Sequence, residues 1–259
     1  MADETQTTGR LSGSVAIVTG GAGGIGRSAC EALAREDANL VVVDVDPSQI
    51  EETLRIVNAI GGHGERLGWV TDIRDERSVD EMVQRTLERF GRIDILVAAA
   101  GILRGKGRSP KPMAQISLDE WNDVIGTNLR GTFLTNRAVL PAMVRQRAGQ
   151  ILNISSTSGR KGRPFDSVYC ASKFGVIGFS ESLAKEVEHY GVKVHVILPD
   201  AVDTPLWKQN GPIACPPASL TPARIAQVIL FLLLLPKDTL IPAPLIMPFR
   251  SGHRPMDST

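Results

Sequence analysis

Cysteine is scarce in this chain: Cys30, Cys170 and Cys215 are the only three among 259 residues, with no CxxC pair and no His/Cys grouping at metal-ligand spacing. A disulfide framework and a structural zinc site are therefore not expected, and no metal is. Neither sign of charge is in excess, since 29 Lys+Arg against 28 Asp+Glu leave a formal net charge of +1, and only 5% of residues are aromatic. Without a basic field or interleaved aromatics, neither nucleic acid nor an anionic membrane is an expected partner. Long apolar runs are missing too. The most apolar stretch, Val228 to Leu235, is closed by Pro236, whereas a bilayer requires about 20 such residues. The first ten residues, MADETQTTGR, have no apolar core and read as a disordered arm rather than a signal peptide. A cytoplasmic protein is expected, with residues 11–259 forming one domain.

What the chain does have is alternation. Short β-branched runs at 15–19, 40–44, 66–70, 94–98, 150–155 and 192–198 are separated by stretches of helix-like periodicity, such as SACEALARE after Arg27 and SVDEMVQRTLERF before Gly91. Strand, helix, strand in repetition predicts an α/β fold, and apolar strands without strict alternation predict burial on both faces. Two stretches interrupt the pattern: 102–117, rich in Gly, Pro, Lys and Arg, and 205–220, rich in Pro and carrying Trp207. Both follow strands, at the edge where open α/β sheets bind ligands, and their length suits binding loops or lids.

The first run leads into Thr19-Gly20-Gly21-Ala22-Gly23-Gly24-Ile25-Gly26. Glycines between a strand and a helix permit a tight turn and let backbone N–H groups approach a pyrophosphate. The second run ends at Asp44, 18 residues beyond Gly26. A carboxylate there accepts hydrogen bonds from ribose hydroxyls and repels an added phosphate, so NAD is the expected cofactor over NADP. Asp46 is the alternative candidate for a plain helix cap.

Further on, Tyr169 and Lys173 stand four apart in a helical stretch and so share one face. Ser156 precedes Tyr169 by 13 residues, at the end of the fifth strand. It suits an oxyanion-hole donor, or else a turn cap. Asn128 sits in a helical stretch that its residue type disfavours, which suggests either a functional role or a buried amide bonded to backbone.

The spacing Thr-Gly-x-x-x-Gly-x-Gly together with Asn128, Ser156, Tyr169 and Lys173 resembles the short-chain dehydrogenases/reductases, over residues 15 to about 204. The resemblance implies a Rossmann-like three-layer α/β/α sandwich with a seven-stranded, mostly parallel sheet, Leu245-Ile246-Met247 supplying the seventh strand beside several prolines. It implies a secondary alcohol/ketone substrate. Ser156 and Tyr169 would hold the substrate oxygen and Tyr169 would exchange its proton. Lys173 would lower the tyrosine pKa and bond the nicotinamide ribose, and Asn128 would hold a water linking Lys173 to solvent. It further implies cofactor contacts at Gly20, Gly24, Ile25, Gly26, Asp44 and Val45, at Asp72 and Ile73 for the adenine, at Ala99 and Gly101, and at Tyr169, Lys173, Pro199, Val202 and Thr204. A homotetramer or homodimer is implied, through helix faces carrying Phe133, Val176, Phe179 and Leu183. Within the family, a 3-oxoacyl thioester reductase is the alternative substrate reading. It is weakened by Leu134 and Tyr190, which stand where arginines are expected. A non-catalytic NAD(H)-sensing regulator is the rival from another class, and the presence of both Tyr169 and Lys173 counts against it.

Three features depart from the pattern. Ala98-Ala99-Ala100-Gly101 stands where Asn-Asn-Ala-Gly is usual, so weaker bracing is expected there. Pro199-Asp200 replaces Pro-Gly, placing a carboxylate near the nicotinamide, where it would favour the oxidised ring unless the side chain merely caps a turn. Cations gather on two loops: Arg104, Lys106, Arg108 and Lys111, then Arg160, Lys161 and Arg163. They are read either as an anion-binding mouth or as solvated loops.

Overall fold

A computed structural model describes residues 9–105 and 107–249. Seven strands form one sheet: β1 (Val15–Thr19), β2 (Asn39–Asp44), β3 (Arg66–Val70), β4 (Ile95–Ala98), β5 (Gly149–Ile154), β6 (Val192–Pro199) and β7 (Leu245–Ile246). Their order is β3-β2-β1-β4-β5-β6-β7, and every pairing is parallel, so the expected mostly parallel sheet is parallel throughout. The helices are α1 (Gly24–Arg35), α2 (Pro47–Ala59), α3 (Glu76–Phe90), α4 (Leu118–Ile125), α5 (Gly131–Gln146), α6 (Ser167–Val187) and α7 (Pro222–Leu233).

The apolar strands explain the three layers. In β1, Ala16 and Val18 face one way, against Ala29 and Leu33 of α1 and Ile225 and Ile229 of α7. Ile17 faces the other way, in a core shared with Met82 of α3, Val139 and Met143 of α5 and Leu183 of α6. Both faces are thus buried, as a crossover-connected parallel sheet requires. Strand β7 lies at the edge, where proline's missing N–H is harmless. There the carbonyls of Pro242 and Pro244 accept from Val196 N (2.8 Å) and Leu198 N (3.0 Å).

Helix starts follow local chemistry. Asp46 caps α2, accepting from Ser48 N and Gln49 N ahead of Pro47, which leaves Asp44 free of that duty. Ser117 and Glu120 form a reciprocal capping box on α4. Helix α1 differs: it begins at Gly24, four residues before the expected start at Ser28, with no side-chain cap. Of the expected disordered arm, 1–10, residues 1–8 lie outside the described residues, and Arg10 is tied down by hydrogen bonds to Glu36.

The chain crosses the sheet at β1, whose neighbours are β2 and β4. At that switch point the carboxyl ends of β1 and β4 open a crevice that β5 and β6 extend. One consequence of the Ala98 departure is visible beside it. Thr19 pairs in register with Ala98, and its Oγ1 is buried with no hydrogen-bond partner among the described residues. An unsatisfied buried hydroxyl costs about 1–3 kcal/mol. Thr19→Val keeps the shape and removes that group, so the variant is expected to raise the cofactor-free Tm by about 2–4 °C for each kcal/mol regained. A lower Tm by calorimetry would show that Thr19 Oγ1 is satisfied in solution.

Candidate functional site

The glycine turn after β1 is shaped by close backbone contact. Gly20 has φ +66°, and a Cβ there would lie 2.6 Å from the Ala100 backbone; one on Gly26 would lie 2.1 Å from Gly20 O. Only glycine fits either place. At the turn's rim Gly24 faces Thr204, whose Cγ2 would lie 3.2 Å from an added Cβ, so the loops after β1 and β6 meet. Asp44 stands at the end of β2 with Oδ2 accepting from Ala22 N (3.1 Å) and Oδ1 from Val45 N (2.7 Å). It therefore braces the glycine turn as well as facing outward beside the exposed Val45.

Beyond β3, Asp72 is gripped by Arg74, whose Nε and Nη2 reach both carboxylate oxygens at 2.7–3.0 Å. This guanidinium holds the Asp72 carboxyl below its usual range. Ile73 is buried, with Cδ1 only 2.4 Å from where a Cβ on Gly131 would lie. The side chains of both expected adenine residues are thus engaged by the protein.

The four candidate catalytic residues come from three neighbouring segments. Tyr169 and Lys173 sit in the first two turns of α6. Ser155 Oγ anchors that helix to β5 by donating to Lys173 O (2.8 Å). Lys173 Nζ donates to Ile154 O at the end of β5 (2.9 Å) and lies 5.7 Å from the Tyr169 ring centre. Ser156 Oγ accepts from Ser158 N (3.1 Å), capping a short turn. The cap occupies an acceptor site and leaves the hydroxyl a donor, directed at Tyr169 in the bare chain.

Asn128 lies in a π-turn, Gly126–Arg130, between α4 and α5. Such turns frequently mark functional positions, and the unusual helix geometry accounts for an asparagine there. Its side chain is fully engaged: Oδ1 accepts from Ile102 N (2.8 Å), and Nδ2 donates to Ile102 O (2.8 Å) and Ser172 Oγ (3.0 Å). In this structure the Asn128 side chain braces the segment after β4. Gly101 leaves the gap between it and the lysine open: a Cβ there would lie 3.3 Å from Asn128 Oδ1 and 3.4 Å from Lys173 Nζ.

One cleft of about 350 Å³ gathers much of this set. Its lining includes Ser156, Tyr169, Lys173, Ile25, Ala99, Gly101, Pro199, Val202 and Thr204. Leu103, Leu206, Trp207 and Ile213 add an apolar wall from the two interrupting loops. Asn128, Gly20, Gly24, Gly26, Asp44, Val45, Asp72 and Ile73 lie outside the lining.

Electrostatics departs from expectation in one respect. Burial pushes Tyr169 up to about 12, with the Ser156 hydroxyl opposing and the Asp166 charge reinforcing the rise. Lys173 is not what sets it. The lysine is itself pushed down to about 8 by burial. In the bare chain the tyrosine is a protonated acid at neutral pH.

The loop cations are largely committed. Arg104 pairs with Asp166, Lys111 with Glu120, Arg160 with Glu181 and Arg163 with Asp200; Lys106 lies outside the described residues. Asp200 Oδ1 accepts from Arg163 Nη2 (2.9 Å) and Thr157 Oγ1 (3.0 Å), so its charge is offset and the argument for favouring the oxidised ring loses most of its force. Leu134, one of the two residues standing where arginines are expected, is buried under the sheet, and the other, Tyr190, lies past the end of α6. Sequence reading missed Gln209, Asn210 and Asp166, which join the loops over the cleft. Nothing in their spacing marks them.

A glycine turn with no room for a side chain at Gly20 or Gly26, an uncapped helix beyond it and a lysine with a single bond among the described residues suit a dinucleotide. The short chain dehydrogenase family model matches residues 14–212. The chain is 32% identical over 232 residues to the 3-oxoacyl-[acyl-carrier-protein] reductase FabG of Thermotoga maritima, covering 86% of this chain and 91% of that one. Among solved structures, levodione reductase superposes with a TM-score of 0.85 at 32% identity, covering 92% and 98% of the two chains. A metagenomic short-chain oxidoreductase in complex with NADP gives 0.79 at 29% identity, covering 93% and 99%. Its glycine cradle, its sheet and these matches together place the chain in the short-chain dehydrogenase family, oxidoreductases that bind a nicotinamide cofactor.

Proposed function

We propose that the chain is an NAD(H)-dependent enzyme that interconverts a secondary alcohol and a ketone of small-molecule size. The observation that carries this is the convergence of Ser156, Tyr169 and Lys173 on the cleft that Ile25, Gly101 and Thr204 also line. Gly20, Gly24 and Gly26 would receive the pyrophosphate, Asp44 the adenosine ribose, Lys173 the nicotinamide ribose, and Val202 and Thr204 the carboxamide end. When bound, the nicotinamide supplies or accepts the hydride. Asp72 and Ile73 would serve the adenine through their backbones, since their side chains are engaged.

The chain's own residues handle the oxygen and its proton. Ser156 donates its hydroxyl proton to the substrate oxygen, stabilising charge that develops there. Tyr169, a protonated acid in the bare chain, gives its proton to that oxygen in ketone reduction and takes it back in alcohol oxidation. Oxidation requires the phenolate, which a charged Lys173 nearby favours. Leu103, Leu206 and Trp207 keep water from the reacting carbon.

The 3-oxoacyl thioester reading draws support from the Thermotoga relative, but the paired loop cations leave little free positive charge for a phosphate-bearing carrier. The NAD preference rests on Asp44, and NADP in a neighbour makes it a point to measure. A cytoplasmic location and a homotetramer or homodimer complete the proposal. Assembly rests on Phe133 and Phe174, exposed on α5 and α6, and not on Val176 and Leu183, which are buried in the core.

Four outcomes are expected. A panel of steroid, sugar, cyclic and acyl ketones and alcohols, followed by NADH absorbance, identifies at least one substrate; no turnover on any favours the regulator. With that substrate, kcat/KM favours NAD over NADP by about tenfold or more, and Asp44→Ala narrows the gap; equal use of both cofactors contradicts the role given to Asp44. Tyr169→Phe retains NADH binding while kcat falls by about 100-fold or more. Lys173→Met raises the Tm at pH 7. Because burial lowers the folded-state pKa of Lys173 to about 8 from the usual 10.5, the unfolded chain binds more protons between those values. Wild-type stability then gains across that window. The Met variant's advantage should therefore shrink from pH 8 to 10.5 in thermal melts, and a constant advantage contradicts the burial argument.

A further inference from the structure

Among the described residues, Arg104 is the most enclosed cation of the two basic loops, its side chain 11% exposed, and its bonds run across the cleft rather than into it. Nη1 donates to Asn210 Oδ1 (2.9 Å) and Nη2 to Phe165 O (3.2 Å), and the guanidinium pairs with Asp166. The backbone N–H groups of Leu103 and Arg104 both donate to Gln209 Oε1, at 2.8 and 3.1 Å. Three segments are thereby joined: the loop after β4, the start of α6 three residues before Tyr169, and the tip of the loop after β6.

That last loop has few other attachments. Its base is closed by Leu220 N to Ala201 O (2.8 Å) and Asp203 N to Leu220 O (2.8 Å), and Trp207 Nε1 donates to Val202 O (2.9 Å). Beyond these, the Gln209 and Asn210 bonds hold its far end, while Leu206, Trp207 and Ile213 present its apolar side to the cleft. A second observation points to the same residue. Phe165 has φ +64°, a conformation that a bulky side chain seldom adopts, and Arg104 binds its carbonyl. The guanidinium thus holds an unfavourable turn in place just ahead of the general-acid helix.

We infer that Arg104 is a positioning residue: it latches the 205–210 segment over the substrate cleft and registers that lid against the start of α6. It makes no contact with the reacting atoms. Three of its five N–H donors are spent on protein acceptors and its charge is paired with Asp166, which separates it from an anion-binding residue. A lid closed only part of the time lowers apparent substrate affinity in proportion to the closed fraction. The proposal rests on the oxidoreductase reading for its kinetic arm and is independent of it for its structural arm.

The test uses the full-length protein with Arg104→Met and, as a milder cut that leaves the buried cation paired, Gln209→Leu. Limited trypsin digestion with mass spectrometry reads cleavage at Lys208–Gln209, inside the latched segment and exposed at Lys208. Cleavage there is expected to accelerate about tenfold or more in both variants. With the fastest ketone of the panel above, KM is expected to rise about tenfold or more, with kcat within threefold of wild type and the dissociation constant for NADH unchanged. Arg104→Lys, which retains the charge but not the fork, should recover part of the KM. An unchanged cleavage rate, an unchanged KM, or an equal fall in kcat and cofactor affinity would each overturn the assignment. If the panel yields no substrate, the oxidoreductase reading fails, and an accelerated cut at Lys208 still supports the latch.

Discussion

One buried ammonium organises this site. Lys173 is 5% exposed, and its Nζ is tied to the Ile154 carbonyl at the end of β5. Burying a charge is costly unless polar partners surround it. The neighbouring features follow from that demand. Ser155 clamps the helix backbone at the lysine itself. Gly101 leaves the space beside Nζ open, and Asn128 holds the loop carrying Gly101 in place. Tyr169, one helical turn earlier, then lines a wall of the same cleft, where burial raises its pKa.

Much of the fold was legible in the chain because a parallel sheet buried on both faces leaves a plain trace: apolar strand runs at 15–19 and 66–70 match the observed strands, and the others fall within a residue or so. The prolines around Leu245–Ile246 located an edge strand for the same reason. Helix starts were harder to place. Helix α1 begins inside the glycine run because its uncapped N-terminus, not its periodic stripe, defines it. At the site, residue types and spacing brought Ser156, Tyr169 and Lys173 together. They could not tell how Asn128 spends its amide, since its partner is backbone at Ile102, 26 residues away. Nor could they show that burial outweighs the neighbouring ammonium in setting the tyrosine pKa, because spacing carries no measure of desolvation.

The basic loops illustrate a similar limit. A run of cations reads as a mouth for anions until their partners are known, and here Asp166, Glu120, Glu181 and Asp200 lie far from them in the chain or on other elements. Once paired, these charges knit the cleft's rim rather than draw in a ligand. The departures from the family pattern divide in the same manner. The alanines after β4 leave Thr19 Oγ1 without a partner among the described residues. Asp200 instead gains Thr157 and Arg163 and becomes part of the cleft wall.

The central claim is that hydride moves between a nicotinamide and a carbon held against Ser156 and Tyr169. Label transfer tests it most directly. NADH deuterated at C4 on both faces is incubated with the protein and the ketones of the panel, and the product alcohol is examined by mass spectrometry and NMR. The account predicts one deuteron at the carbinol carbon. Oxidation of the cofactor with no deuterium in any alcohol would contradict it.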